Sequence, residues 1–327
     1  MLLHVNDYFR VARRRRFGVR ALCATLLLVQ LRSAILCALV LASAGTAAAP
    51  PPPTPLQRAV ARAMRAQRGS LLVVDVRGQV PVLLAAHRIE SAARRVATPG
   101  STVKTFVLLK LLETGKARPS DLFVCPRQVR VGGRRIDCTH PELPGPIDPA
   151  DALAWSCNAY FAEVARRLTP AELHEALERA GLETYTGLTP DEGHGQLLPA
   201  DTQERLQLQA LGHWGVTTTP AALLYSYIRL AGRRDDPNVR LVWQGLERSV
   251  AFGMAHAAHV DKMQIAGKTG TASDGLGGPT HGWFVGLAPA ADPEIAIVVY
   301  LERGRGADAA ALAQPVFAAY FQDARKQ

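Results

Sequence analysis

Strand-like apolar runs of this 327-residue chain fall toward its two ends, and the long stretch between them is mainly helical in pattern. "SLLVVDV" and "QVPVLLAA" flank Arg77-Gly78 and predict a hairpin of two well-buried strands, while "MQIAGKTGTAS", "HGWFVGLAP" and "EIAIVVYLE" are divided by Gly- and Pro-rich turns. Helical periodicity marks 101–114, 149–155, 159–168, 170–180 and 219–231, and there is no internal repeat. Strands from both ends have to meet in one sheet, with a mainly helical lobe of about 105–260 inserted between them. Two further helices frame the sheet strands. "LQRAVARAMRAQRG" spaces Leu56, Val60, Ala63 and Met64 on one face and stops at Gly69, and "ADAAALAQPVFAAYF" closes the chain.

The net charge of +10 does not point to nucleic acid. Seven arginines before residue 50, set against Asp7, supply most of it, and "RVARRRRFGVR" abuts an apolar segment as a positive-inside flank does. Residues 1–49 therefore read as a basic flank with a membrane anchor or a signal peptide, 50–55 as a Pro-rich spacer, and 56–327 as the exported globular part. Gln30 and Arg32 interrupt the apolar segment, whereas 34–43 followed by "ASAGTAAA" has the pattern of a cleavable signal.

Only six of the 38 basic residues are lysine, and two of these stand in chemically suggestive places. Arginine holds its proton at any ordinary pH, but a buried lysine can release one. Ser101, in the first turn of a helix after Pro99-Gly100, has Lys104 as its i+3 neighbour; a neutral Lys104 amine could take the hydroxyl proton and make Ser101 a nucleophile. Asp148-Pro149 starts a short helix that ends at the joint Ser156-Cys157-Asn158, which can present a hydroxyl and an amide to a cleft. In "IAGKTGTAS", glycines beside Lys268-Thr269 suggest a strand lying close against another backbone, with Lys268, Thr269 and Thr271 able to grip a carboxylate. Taken singly, each reads as readily as a capping serine, a capping asparagine or an edge strand with a surface lysine.

Taken in order, Ser101-Thr102-Val103-Lys104, Ser156-Cys157-Asn158 and Lys268-Thr269-Gly270 resemble the three motifs of the penicillin-binding proteins and serine β-lactamases. "TPGSTVK", "WGVTTTPAALLYSYIRLAG", "HGWFVGLAP" and "PEIAIVVYLERG" extend the resemblance to the transpeptidase domain of class B penicillin-binding proteins over about residues 69–323. The resemblance implies an α+β, three-layer α/β/α fold with an antiparallel sheet. It also implies a D,D-transpeptidase acting on D-alanyl-D-alanine stem peptides of peptidoglycan, inhibited by β-lactams, at the exported side of the bacterial inner membrane and without a cofactor. By the same resemblance Ser101 is acylated, Lys104 is its base, Ser156 relays a proton with Lys104 or Lys268, and Asn158 holds the acyl chain. Lys268, Thr269 and Thr271 take the terminal carboxylate, Gly270 belongs to the same motif, and the N–H groups of Ser101 and Thr271 form the oxyanion hole. Class B proteins usually carry a pedestal domain after the anchor, whereas about twenty residues separate Ala49 from the first strand here. A β-lactamase, a D,D-carboxypeptidase and a β-lactam sensor are the alternatives on this fold; no Glu-x-x-Leu-Asn stretch is present to activate a deacylating water.

For an exported protein, "FVCPRQVRVGGRRIDCTHP" predicts a hairpin about Gly132-Gly133 that brings Cys125 and Cys138 together as a disulfide. Cys125, Cys138 and His140 also suggest zinc but lack a fourth donor, so no metal is expected, and Cys157 reads as a packing residue. His213, His256, His259 and His281 have no assignable carboxylate partner and read as structural.

Overall fold

The computed structural model describes residues 52–273 and 278–324. The basic flank and apolar segment assigned to 1–49 lie outside them, and among the described residues no helix is long and apolar enough to cross a membrane. Residues from Pro53 onward form one compact unit.

After α1 (Pro55–Ala63), β1 (Gly69–Asp75) and β2 (Val82–His87) form the predicted hairpin, and α2 (Ile89–Arg94) follows. A 3-10 turn, Gly100–Val103, runs directly into α3 (Lys104–Glu113), then come a small hairpin of β3 (Gln128–Val131) and β4 (Arg134–Asp137), α4 (Pro149–Ala154), α5 (Asn158–Ala165) and α6 (Pro170–Ala180). The lobe continues with β5 (Gln196–Leu197), α7 (Gln203–Ala210), β6 (Val216–Thr217), α8 (Pro220–Ala231) and α9 (Pro237–Ala251). The chain returns to the main sheet as β7 (Ala266–Ser273), β8 (Thr280–Ala288) and β9 (Ile295–Leu301), and ends in α10 (Gly306–Ala324).

The five-stranded antiparallel sheet has the order β2-β1-β9-β8-β7, so β1 from one end pairs with β9 from the other, Val73 opposite Ile297. The period-2 alternation of the strands sends their side chains into two cores. Leu72, Val74, Trp283, Val285, Val298 and Tyr300 face the helical lobe. Leu71, Val73, Phe284, Ile297, Val299 and Leu301 face α1 and α10, and this makes the three layers. One expectation is corrected: β2 is the edge strand, paired only with β1 and half open, with Val82 58% exposed.

Most helix starts follow their capping chemistry. The Thr169 hydroxyl and the Glu172 carboxylate form a reciprocal capping box at α6, and Thr219 caps α8 by accepting from the Ala222 N–H at 3.1 Å. On α8, the buried Tyr227 hydroxyl donates to Thr102 O at 2.8 Å and lies 2.7 Å from Thr105 Oγ1. This ties the 3-10 turn and the start of α3 to the lobe. Tyr227→Phe leaves both partners buried without it, so a loss of about 1–3 kcal/mol is expected. Urea unfolding monitored by fluorescence measures this, and an unchanged midpoint would show that the contact carries no stability.

Candidate active site

Two glycines let the Ser101 turn press on β7. At Gly100, with φ of +56°, an added Cβ would lie 2.7 Å from Thr271 O, and at Gly270 it would lie 2.4 Å from Pro99 O. Backbone therefore meets backbone at the point where Ser101 and Thr271 come together. The predicted helix over 101–114 is divided: Ser101 lies in the 3-10 turn and Lys104 opens the α-helix, still one turn later. Ser101 is half-buried, and Lys104 is fully buried.

The second segment is positioned by α4. The Asp151 N–H donates to Asp148 Oδ1 at 2.7 Å, and Arg248 of α9 bonds Asp148 and Asp151, each at 3.0 Å. At the joint beyond α4, Ser156 has φ of +52°, a left-handed conformation that costs a non-glycine residue on the order of 1 kcal/mol or more. Cys157, not Asn158, occupies the cap of α5, its sulfur accepting from the Tyr160 N–H at 3.4 Å. Asn158 is thereby free for the cleft.

These segments and β7 meet at one hydroxyl. Lys268 Nζ, fully buried, donates to Ser156 Oγ at 2.9 Å and to Thr269 O at 3.1 Å. Lys104 Nζ donates to Ser156 O at 2.8 Å and to Asn158 Oδ1 at 2.5 Å, and lies 3.4 Å from Ser156 Oγ. Asn158 Nδ2 donates to Asp137 O at 2.8 Å, which sets the amide with its oxygen toward Lys104. Burial pulls Lys104 down to about 8, partly offset by the neighbouring Cys157 and Cys138 sulfurs. Burial, and then the neighbouring Lys104 charge, hold Lys268 well below its ordinary range. Two ammonium groups on one hydroxyl are thus disfavoured. A neutral Lys104 retains two N–H groups for its two carbonyl acceptors and turns its lone pair to the remaining tetrahedral direction, where a hydroxyl proton can go.

Ser101, Ser156, Asn158, Thr269 and Thr271 line one cleft of about 1200 Å³. Lys104 and Lys268 lie behind its wall. Thr271 Oγ1 accepts from the Gly306 N–H at 2.9 Å, which fixes that hydroxyl at the start of α10. Sequence reasoning assigned no cleft role to His213, yet it lines this cleft; only its place in the fold reveals this. His281 fits its structural reading, its Nε2 lying 2.7 Å from Thr98 O, and His256 Nδ1 lies 3.1 Å from Val250 O.

The cysteines depart from expectation. Cys125 and Cys138 are thiols with sulfurs 3.6 Å apart, not a disulfide. Cys157 joins them, 3.4 Å from Cys125 and 3.8 Å from Cys138, and with His140 it completes four donor atoms that all lie within 4.8 Å of one another. The fourth donor missing from the linear reading is the middle residue of the Ser156-Cys157-Asn158 joint.

The family model for the penicillin binding protein transpeptidase domain matches residues 63–322, and the chain belongs to that family. Over 265 residues it is 26% identical to the peptidoglycan D,D-transpeptidase PbpA of Mycolicibacterium smegmatis, covering 67% of this chain and 53% of that protein. Over 285 residues it is 26% identical to the peptidoglycan D,D-transpeptidase MrdA of Acinetobacter baumannii, covering 69% and 42%. The chain spans about half the length of these curated relatives or less. Among solved structures, penicillin-binding protein PBP2 in its complex with MreC from Helicobacter pylori is similar with a TM-score of 0.73 at 19% identity, covering 83% of this chain and 63% of that one. The transpeptidase domain of penicillin-binding protein 3 from Burkholderia pseudomallei is similar with a TM-score of 0.72 at 19% identity, covering 82% and 94%. At such identities the structures establish the fold.

Lys104→Arg keeps the charge but removes the releasable proton. Acylation by a fluorescent penicillin is expected to fall about 100-fold or more in this variant, and a near wild-type rate would refute lysine as base. In the wild type the amine is mostly charged below about pH 8. The acylation rate is therefore expected to rise about tenfold per pH unit up to that point and to level off above it. A rate flat from pH 6 to 9 would contradict this.

Proposed function

We propose that the chain is a serine D,D-transpeptidase of the bacterial cell envelope, acting on D-alanyl-D-alanine stem peptides of peptidoglycan and acylated by β-lactams. The observation that carries this reading is the Ser156 hydroxyl held between Lys268 and Lys104 at 2.9 and 3.4 Å, on the wall of the cleft that Ser101 lines.

In this reading neutral Lys104 takes the Ser101 proton as Oγ attacks the penultimate D-alanine carbonyl. The oxyanion is received by the N–H groups of Ser101 and Thr271, each donor worth on the order of 100-fold to 1000-fold. As the C–N bond breaks, Ser156 Oγ passes its proton to the leaving amine and is resupplied from Lys104 or Lys268. Lys268 with Thr269 and Thr271 holds the terminal carboxylate, and Asn158 holds the acyl-chain amide. An acceptor amine then attacks the Ser101 ester, with the same groups running in reverse. The basic flank and apolar segment before residue 50 support attachment to, or export across, the inner membrane.

The fate of the ester decides between this reading and a β-lactamase. The carboxylates that line the cleft among the described residues are Asp137, Asp201 and Glu204. Asp137 pairs with Arg135 at 2.7 Å, Asp201 pairs with Arg205 at 2.5 Å, and Glu204 lies against Gly132 at the β3–β4 turn. Two of the three are thus held by arginines, and a base positioned to activate water at the ester would be worth about 100-fold to 10,000-fold. The expected outcome is a penicilloyl-enzyme that persists for minutes to hours while a D-alanyl-D-alanine peptide or thioester releases its leaving group. Nitrocefin turnover at about ten per second or faster would overturn the reading in favour of a β-lactamase.

A further inference from the structure

The four donors of Cys125, Cys138, His140 and Cys157 come from three separate segments: the loop before β3, the residues just after β4 and the cap of α5. Zinc bonds of about 2.3 Å to sulfur and 2.0–2.1 Å to imidazole nitrogen give a tetrahedron with edges of about 3.8 Å between sulfurs and 3.5 Å from sulfur to nitrogen. The sulfur–sulfur separations are 3.4, 3.6 and 3.8 Å, and Cys125 Sγ lies 3.5 Å from His140 Nε2. These four edges lie within about 0.4 Å of a tetrahedron around a cation, and all four donor atoms lie within 4.8 Å of one another. Three sulfurs mutually spaced in this way do not single out a disulfide pair.

The surroundings are those of a ligating set. His140 Nδ1 lies 2.7 Å from Pro141 O and 3.1 Å from Arg127 Nη1; in the tautomer that gives the Nδ1 proton to Pro141 O, the Nε2 lone pair is left for the sulfurs. Arg127 supports this carbonyl, its Nη1 donating to Pro141 O at 2.9 Å. Each sulfur also accepts a backbone N–H, from Arg127 to Cys125 at 3.4 Å, from Ala159 to Cys138 at 3.3 Å and from Tyr160 to Cys157 at 3.4 Å. Such bonds stabilise thiolates rather than thiols. Arg127 adopts φ of +67°, and its N–H points back to the sulfur two residues earlier. Cys138, His140 and Cys157 are all buried.

We propose that Cys125, Cys138, His140 and Cys157 bind one zinc ion, which clamps the Ser156–Asn158 joint to the β3–β4 hairpin. Binding replaces three thiol protons by one divalent cation, leaves the imidazole neutral and gives the site a net charge of −1. Cys157 lies between the two residues that hold Lys104 through Ser156 O and Asn158 Oδ1. Asn158 is held in turn by Asp137 O, the carbonyl next to Cys138. The ion therefore acts on catalysis by positioning and touches no substrate.

The test uses the full chain purified without chelator. Elemental analysis is expected to find about one zinc per chain, and replacement by cobalt(II) is expected to give thiolate-to-cobalt charge-transfer bands with the intense d–d bands of a tetrahedral site. His140→Ala, remote from the reacting atoms, is expected to weaken zinc retention about 10-fold to 100-fold in chelator competition. Should that variant not fold, cobalt titration of the metal-depleted wild type gives the same answer. Chelation is expected to slow penicillin acylation and re-added zinc to restore it. Trace metal with no tetrahedral cobalt spectrum would overturn the site. So would a Cys125–Cys138 disulfide, detected by intact mass before and after reduction, in a chain that acylates at full rate. Metal stoichiometry and the cobalt spectrum do not depend on the transpeptidase assignment, so failure of either reading is seen separately.

Discussion

Two lysines buried around one serine hydroxyl are costly, and the site is built on them. An ammonium group stripped of water is disfavoured unless paired, and Lys104 and Lys268 face each other across Ser156 Oγ. Giving up a proton would relieve the cost, and in the proposed mechanism this makes Lys104 the base. The surrounding structure serves to hold these groups where they would not stay by themselves.

Each is held by a different element. Lys104 sits on the first turn of a helix whose preceding turn is pressed on β7 through Gly100 and Gly270 and anchored from behind by Tyr227. Lys268 projects from β7, paired to β8 in register with Val285. Ser156 is carried in a left-handed conformation at the joint beyond α4, which the Arg248 pairs fix to α9. The pairing of β1 with β9 brings the two ends of the domain into the one sheet that carries β7.

The sheet and the larger part of the lobe were legible because strand alternation, caps and prolines at first helical turns are local signals. The α6 helix, with Thr169, Pro170 and Glu172, is a case in which the capping chemistry sets the start. The α9 helix is less apparent: Val239, Val242, Trp243, Leu246 and Val250 have helical spacing, but Gly245 interrupts it. That glycine lets α9 approach α4, where an added Cβ would lie 2.9 Å from Ala150 O. The motif residues were legible as chemistry at fixed spacing, and their convergence on Ser156 Oγ is a tertiary fact. Cys157 shows the limit best. Its thiol reads as packing within its own segment, and only the approach of the β3–β4 hairpin supplies Cys125, Cys138 and His140 as its neighbours.

The central claim is that this arrangement makes Ser101 the nucleophile. Peptide mapping by mass spectrometry after exposure to benzylpenicillin tests it most directly. The expected result is a single penicilloyl adduct on the peptide holding Ser101, lost in Ser101→Ala while the fold is retained. An adduct on Ser156 or elsewhere, or one that survives in Ser101→Ala, would contradict the account.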